Sequence, residues 1–379
     1  MKKTKIIFLI LFLGFFYSFH SFAKIIKKKK TVEENPHFNI FLDFSSSLNS
    51  TVKTVKKEFS EGSRFSEDYL GLEVVGKATD KISYRFVKQF KKTENENTEN
   101  YGMVDVAYLK YKWNDKLYFL VGKQPFSFGS MEYANSFYDH AYRYTNVYKN
   151  KENSVGFSFV YLPIKNHEFQ FQIVNGEKKR EKNVGVVEEE HHPMGYSLNW
   201  NWNFNKIFQN RWSYSIFQEN DKKIFWKLLA LGSKLNLKPI SIEADYILSN
   251  ENIEKNVKIA KILQSSNQNY CSFPIKYGTY LVKLKYNFFP EWNLIIKGVY
   301  EIGTYKKGIN NILEKNKLFQ KAYTYYGGVE FIPFIKKNDL SFYFSYQNQI
   351  INYKLYSMKK ENKNNHFIIL GFNYRVKMI

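Results

Sequence analysis

Charged residues in this chain recur at intervals of two among apolar ones. Lys283 and Lys285 stand between Val282, Leu284 and Tyr286. In an extended backbone that spacing puts amines on one face and apolar groups on the other. A polar face built this way can attract and sort ions without any covalent step. Arg85, Lys110, Lys112, Lys234 and Lys297 are placed alike, as basic candidates for a lumen wall. Asp43, Glu73, Glu168, Glu243, Asp245, Glu301 and Glu330 fall on the same face. Rings of Lys or Arg select anions and acidic rings select cations. The two sets are about equal, so their count decides neither way.

A second group lies between Lys123 and Asn153. Its charges are Lys123, Glu132, Asp139, Arg143 and Lys149, among the rings of Phe126, Phe128, Tyr133, Phe137, Tyr138, Tyr142, Tyr144 and Tyr148. Burying each ring stabilises a folded-in loop by roughly 1.5–3 kcal/mol. Segment 123–153 is therefore expected to enter a lumen, constrict it, and carry the selectivity residues.

Signals for other chemistry are weak. His191 and His192 follow Glu188–Glu190, yet a polar loop rarely fixes the geometry a transition metal needs. Nucleophile-elbow, phosphate-loop and H-E-x-x-H motifs do not occur. His140, His167 and His366 have no convincing Ser and acid partners in sequence. No enzyme, cofactor or metal site is expected.

The elements that would hold these faces are strands. Tyr196, Leu198, Trp200, Trp202 and Phe204 alternate with Ser197, Asn199, Asn201 and Asn203. About 16 such runs follow one another, near 37–45, 67–77, 81–90, 101–113, 115–122, 154–162, 167–175, 194–204, 211–219, 224–237, 239–249, 276–288, 291–302, 321–332, 338–350 and 366–378. Most have about the 9–11 residues a tilted strand needs to cross a bilayer. Short links such as Asn114-Asp115 and Pro290-Glu291 alternate with long polar ones: 46–66, 91–100, 123–153, 176–193, 250–275, 303–320 and 351–365. Only the link near Asn220 breaks the alternation. Such parity marks a transmembrane antiparallel barrel, with turns and both termini in the periplasm and loops outside. The fold class expected is all-β: a barrel of about 16 strands, over 37–379, with an in-folded constriction loop.

Composition agrees. Aromatics are 19% and mean hydropathy is −0.47, as a polar lumen and an apolar belt require. Trp113, Trp200, Trp202, Trp212 and Trp292 are expected on outward faces or strand ends. Lys2, Lys3 and Lys5, the apolar run from Ile6 to Tyr17 and Ser21-Phe22-Ala23 read as a cleaved signal peptide, 1–23. A basic periplasmic leader, 24–36, follows. Losing three lysines with the signal lowers the net charge from +22 to +19. That balance favours anionic partners, and the dispersed lysines of an exported chain do not suit nucleic acid. Cys271 is the single cysteine, so no internal disulfide forms.

The segment Val121-Gly122-Lys123-Gln124-Pro125-Phe126-Ser127-Phe128-Gly129-Ser130-Met131-Glu132 resembles one in the phosphate-selective porin O and P family, as does the preceding run Val106–Tyr111. The resemblance implies a 16-stranded barrel, usually a homotrimer, that passes small anions. Family members specific for phosphate carry arginine and lysine ladders, whereas arginine is scarce here, with Arg85, Arg143 and Arg211 as lumen candidates. The function expected is passive diffusion of small anionic or neutral solutes across the outer membrane of a Gram-negative bacterium, favouring anions such as phosphate. Outer-membrane lipid and the barrel-assembly machinery are the other partners. A plugged adhesion barrel using loops 250–275 and 303–320, or a barrel hydrolase, are the alternatives.

Overall fold

The computed structural model describes residues 38–55, 58–65, 69–90, 104–134, 144, 153–176, 193–219, 225–252, 274–306, 318–335, 339–354 and 362–378. The signal peptide, the leader, Asp139, Arg143, Lys149, His140, His191, His192 and Cys271 lie outside them.

Seventeen strands follow in order. They are β1 (Phe38–Val55), β2 (Glu58–Phe65), β3 (Tyr69–Lys77), β4 (Ile82–Phe90), β5 (Val106–Asn114), β6 (Leu117–Pro125), β7 (Asn153–Tyr161), β8 (His167–Asn175) and β9 (Met194–Phe204). Then come β10 (Phe208–Gln218), β11 (Phe225–Leu237), β12 (Ile240–Glu251), β13 (Ile275–Phe289), β14 (Trp292–Tyr305), β15 (Leu318–Phe331), β16 (Leu340–Tyr353) and β17 (Lys363–Lys377). All pairings are antiparallel between neighbours, and β1 closes the sheet on β17.

β1 meets β3 along its first half, from Phe38↔Gly76 to Ser45↔Tyr69. It meets β2 along its second half, from Leu48↔Phe65 to Val55↔Glu58. The register slips by one residue between the two, so β2 and β3 fill one wall position broken by an irregularity. The wall therefore has 16 positions and one extra strand. The link expected at 46–66 is mostly strand: Thr51, Val52, Thr54 and Val55 are β-branched and suit a pleated ladder, although the segment reads as polar. Phe41 pairs with Lys377, so the described ends of the chain lie together, at the end that carries the short turns.

The wall has two faces. Val121, Leu198, Val282, Ile296 and Leu370 stand exposed outside. Trp200 and Trp212 meet edge to face at 5.4 Å, and His167 stacks on Trp200 and Trp202 at 6.0 Å each, extending an outer aromatic belt. Trp226 is the exception among the tryptophans. It lies on the inner face of β11 and is buried.

Candidate functional site

The inner wall is a set of ion pairs. Arg85 Nε lies 2.7 Å from Glu73 Oε1. Arg375 pairs with the other Glu73 oxygen and lies 3.5 Å from Asp43, crossing the seam between β17, β1 and β3. Glu243 takes Lys234 at 2.8 Å and Lys283 at 3.5 Å. Lys285 and Asn293 hold Glu330 at 2.9 and 3.0 Å. Lys110 places its amine 3.8 Å from the centre of the Tyr118 ring, and the Tyr118 hydroxyl donates to Glu168. At the short-turn end Lys112 reaches Asp115 at 2.6 Å. That hydrogen bond holds the exposed Asp115 carboxyl below its ordinary range.

Charge count and charge depth differ on this wall. In four pairs, the side chains of Arg85, Lys234, Lys285 and Arg375 keep 27–40% exposure while their carboxylate partners keep 6–9%. Chain length explains it. Aspartate and glutamate stop close to the sheet, whereas lysine and arginine carry the charged head outward on a longer stem.

Residues 126–134 lie against this wall inside the barrel. Phe126 and Phe128 stack at 5.2 Å and bury themselves among Val174, Phe217, Trp226, Leu228, Ala230 and Ile247. Gln172 accepts from Ser127 N at 2.9 Å, Ser213 Oγ from Gly129 N at 2.6 Å, and the Arg211 carbonyl from Ser130 N at 2.9 Å. The left-handed backbone of Ser130, φ 79°, turns the next two N–H groups onto Asp245. Met131 N and Glu132 N reach that carboxylate at 2.7 and 2.8 Å. Glu132 then bonds Lys297 at 2.5 Å, both fully buried, and accepts from Tyr144 N. Tyr144 donates to Glu301 at 2.9 Å and packs on Leu281, Ile295, Val299 and Tyr326. The segment is thus tied to the inner faces of β8 through β15.

Glycine makes the close approach possible. A Cβ on Gly129 would lie 2.7 Å from Ser213 N, 2.8 Å from Arg211 O, and nearer still to Ala230 O. A Cβ on Gly232 would meet Met131 N and Ser130 Cα at 2.5 Å.

Glu132 is therefore placed at the centre of the in-folded segment. Lys123 is not beside it. β6 runs on to Pro125, so Lys123 is a strand residue and shares the outward parity of Val121, with its amine 2.5 Å from the Val104 carbonyl. The expected grouping of Lys123 with Glu132 is corrected by that extra strand length. Arg85, Lys110, Lys234, Lys283, Lys285 and Lys297 lie on the inner face, with Lys112 at its short-turn rim. Sequence reasoning missed Arg375 as a lumen residue. Its signal was available: Tyr374 and Val376 belong to the apolar face, so Arg375 faces the other way. It also missed Gln172, Ser213 and Asp245 as anchors, because acceptors that hold a distant loop leave no local pattern.

Among the described histidines, His167 accepts from Trp200 Nε1 at 3.3 Å. His366 bonds Tyr346 and Asn348, and among the described residues no group of three His, Cys, Asp or Glu could hold a metal.

The fold is similar to solved outer-membrane structures. In-vitro folded OmpT of Vibrio cholerae, in a trimer form, is 13% identical with a TM-score of 0.54, covering 89% of this chain and 99% of that one. The outer membrane channel DcaP of Acinetobacter baumannii is 10% identical with a TM-score of 0.61, covering 91% and 100%. An anion-selective porin from Comamonas acidovorans is 9% identical with a TM-score of 0.56, covering 89% and 99%. Curated protein sequences return no match. The family model described as phosphate-selective porin O and P matches residues 48–375.

Proposed function

Since this chain belongs to the phosphate-selective porin O and P family and is an outer-membrane porin channel, we propose that it passes small hydrophilic solutes by passive diffusion and favours anions such as phosphate. The depth of the wall charges carries this reading. At Arg85, Lys234, Lys285 and Arg375 a solute in the lumen meets the cationic head before the carboxylate beneath it, so a wall neutral by count presents a more cationic surface there. Selection then rests on lumen charge and on the width left beside residues 126–134, with no covalent step. The similar Comamonas protein is described as an anion-selective porin, which supports the same preference. Family membership also points away from catalysis. The trimer form of the similar OmpT supports a homotrimer. The signal at 1–23 and a periplasmic position for both termini complete the proposal.

The double substitution Arg85→Gln, Lys285→Gln tests the source of the preference. A unit charge about 4 Å from an ion is worth about 1 kcal/mol in water, roughly a fivefold change in partitioning. The anion-to-cation permeability ratio of the variant is expected to fall severalfold, measured from reversal potentials in planar bilayers. An unchanged ratio would remove these two residues from the account. Phosphate added to a chloride current should reduce it if phosphate enters the lumen and competes for these cations. A chloride current indifferent to phosphate would withdraw phosphate as a favoured solute.

A further inference from the structure

The outer face of β11 to β15 changes character at its loop end. Lys227 pairs in register with Asn250, Asn250 with Lys276, and Lys276 with Thr304, so one outward row crosses four strands. Lys227 and Lys276 are exposed, and neither amine enters an ion pair among the described residues. Lys306, the next outward position beyond Thr304, lies within electrostatic reach of both and donates to Asn252 at 3.2 Å. Lys321 stands one outward row further in, opposite Ile302. Four amines therefore gather on one face. All five acids of these strands, Glu243, Asp245, Glu251, Glu301 and Glu330, are buried on the inner face. Glu219 and Glu251, the carboxylates that reach Lys306, are buried there too.

The rows beneath fix the height of these amines. Two outward rows down, Tyr246, Tyr280, Tyr300 and Tyr323 stand in register across β12 to β15. Their adjacent rings lie 5.0, 6.3 and 5.0 Å apart. Apolar residues such as Val282, Leu284 and Ile296 continue the face below them. Tyrosines above an apolar band mark the level where hydrocarbon meets headgroups. The lysine row lies about 13 Å further along the strands, and its stems carry the amines outward still. Phosphates of the outer leaflet belong at that level. Below the tyrosines, a Cβ on Gly298 or Gly327 would meet nothing within 4 Å, which leaves a shallow trough for an acyl chain.

We infer that this face binds a lipid of the outer leaflet whose headgroup carries two phosphates, held by Lys227, Lys276 and Lys306 above the tyrosine row. Charge complementarity selects an anion, because no carboxylate of β11 to β15 shares the face. The spread of the amines selects two phosphates. Lys227 and Lys276 stand two strand intervals apart, roughly 10 Å, and Lys306 lies beyond them, so a single phosphate cannot meet all three. A lysine binds phosphate as a point charge and tolerates either phosphate position. The inference goes beyond the porin reading and rests on it for which end of the barrel faces outside.

Native mass spectrometry of the folded full-length barrel in detergent tests it, with diphosphoryl and monophosphoryl lipid A titrated separately. The diphosphoryl lipid should bind about tenfold more tightly. Lys227→Gln, Lys276→Gln should weaken it about tenfold and erase the difference. Lys206→Gln, Lys238→Gln removes the same charge from exposed positions at the short-turn end and should bind as the parent does. Equal binding of the two lipids by the parent, or equal losses in the two double variants, would overturn the site. Displacement of the lipid by an equal concentration of inorganic pyrophosphate would make this a site for a free anion and overturn the lipid. An oligomer lost in Lys227→Gln, Lys276→Gln with lipid binding retained would put a second copy of the chain on this face instead. Conductance in planar bilayers keeps the two readings separate. A conducting barrel that does not distinguish the lipids overturns the site alone, and a silent barrel that does distinguish them overturns the pore alone.

Discussion

Lys297→Met lowers the stability of the barrel by about 3–5 kcal/mol, the usual cost of leaving one member of a buried ion pair without the other. Lys297 and Glu132 are buried to the last few per cent and bonded at 2.5 Å, and Lys297 also stands 4.8 Å over the Tyr326 ring. The substitution strands the Glu132 carboxylate between β14 and the in-folded segment, where water does not reach it. The double variant Lys297→Met, Glu132→Leu removes both charges and fills similar volume, so it should recover a large part of the loss, though it forgoes the Tyr144 N–H acceptor. Denaturant midpoints of the three variants in detergent measure both effects. A Lys297→Met barrel as stable as the parent would show that the pair holds nothing, and equal losses in the single and double variants would assign the effect to packing alone.

Gly129→Val has the second large effect, and acts through backbone rather than charge. The added Cβ meets the backbone atoms Ser213 N and Arg211 O well inside contact distance, and neither can move without breaking the β10 ladder. Residues 126–134 must lift off the wall, and Phe126 and Phe128 leave the cluster around Phe217 and Trp226. Burial of two such rings is worth about 1.5–3 kcal/mol each, so release of the segment is a matter of several kcal/mol. Chymotrypsin should cut the folded variant after Phe126 or Phe128 while sparing the parent, and single-channel current should become noisier as the segment moves in the lumen. A variant as resistant and as quiet as the parent would place the anchor elsewhere.

Much of the architecture was legible because strands write their own faces. The alternation from Tyr196 to Phe204 recurs as β9, with its inner residues Ser197 and Asn199 buried. The links sorted by parity because turns and loops lie at opposite ends of a barrel. The hairpin of β1 and β2 was hidden, since serine and threonine runs read as loop until a partner strand supplies the ladder. The in-folding of 126–134 was legible from its aromatic load, but its anchors were not. Gln172, Asp245 and Lys297 lie between 45 and 165 residues away from the groups they hold, and no local spacing records such a contact. Charge sign was readable and charge depth was not. The count of wall residues predicts no preference, whereas Arg85, Lys234, Lys285 and Arg375 stand further out than their carboxylate partners because of side-chain length, with Lys283 and Lys297 buried beside theirs.

That last difference carries the central claim, that the lumen presents a cationic surface over sunken carboxylates. The reversal potential of the purified, folded protein in a KCl gradient across a planar bilayer tests it most directly. The account predicts a potential displaced toward the chloride equilibrium value. A potential displaced toward that of potassium would contradict it.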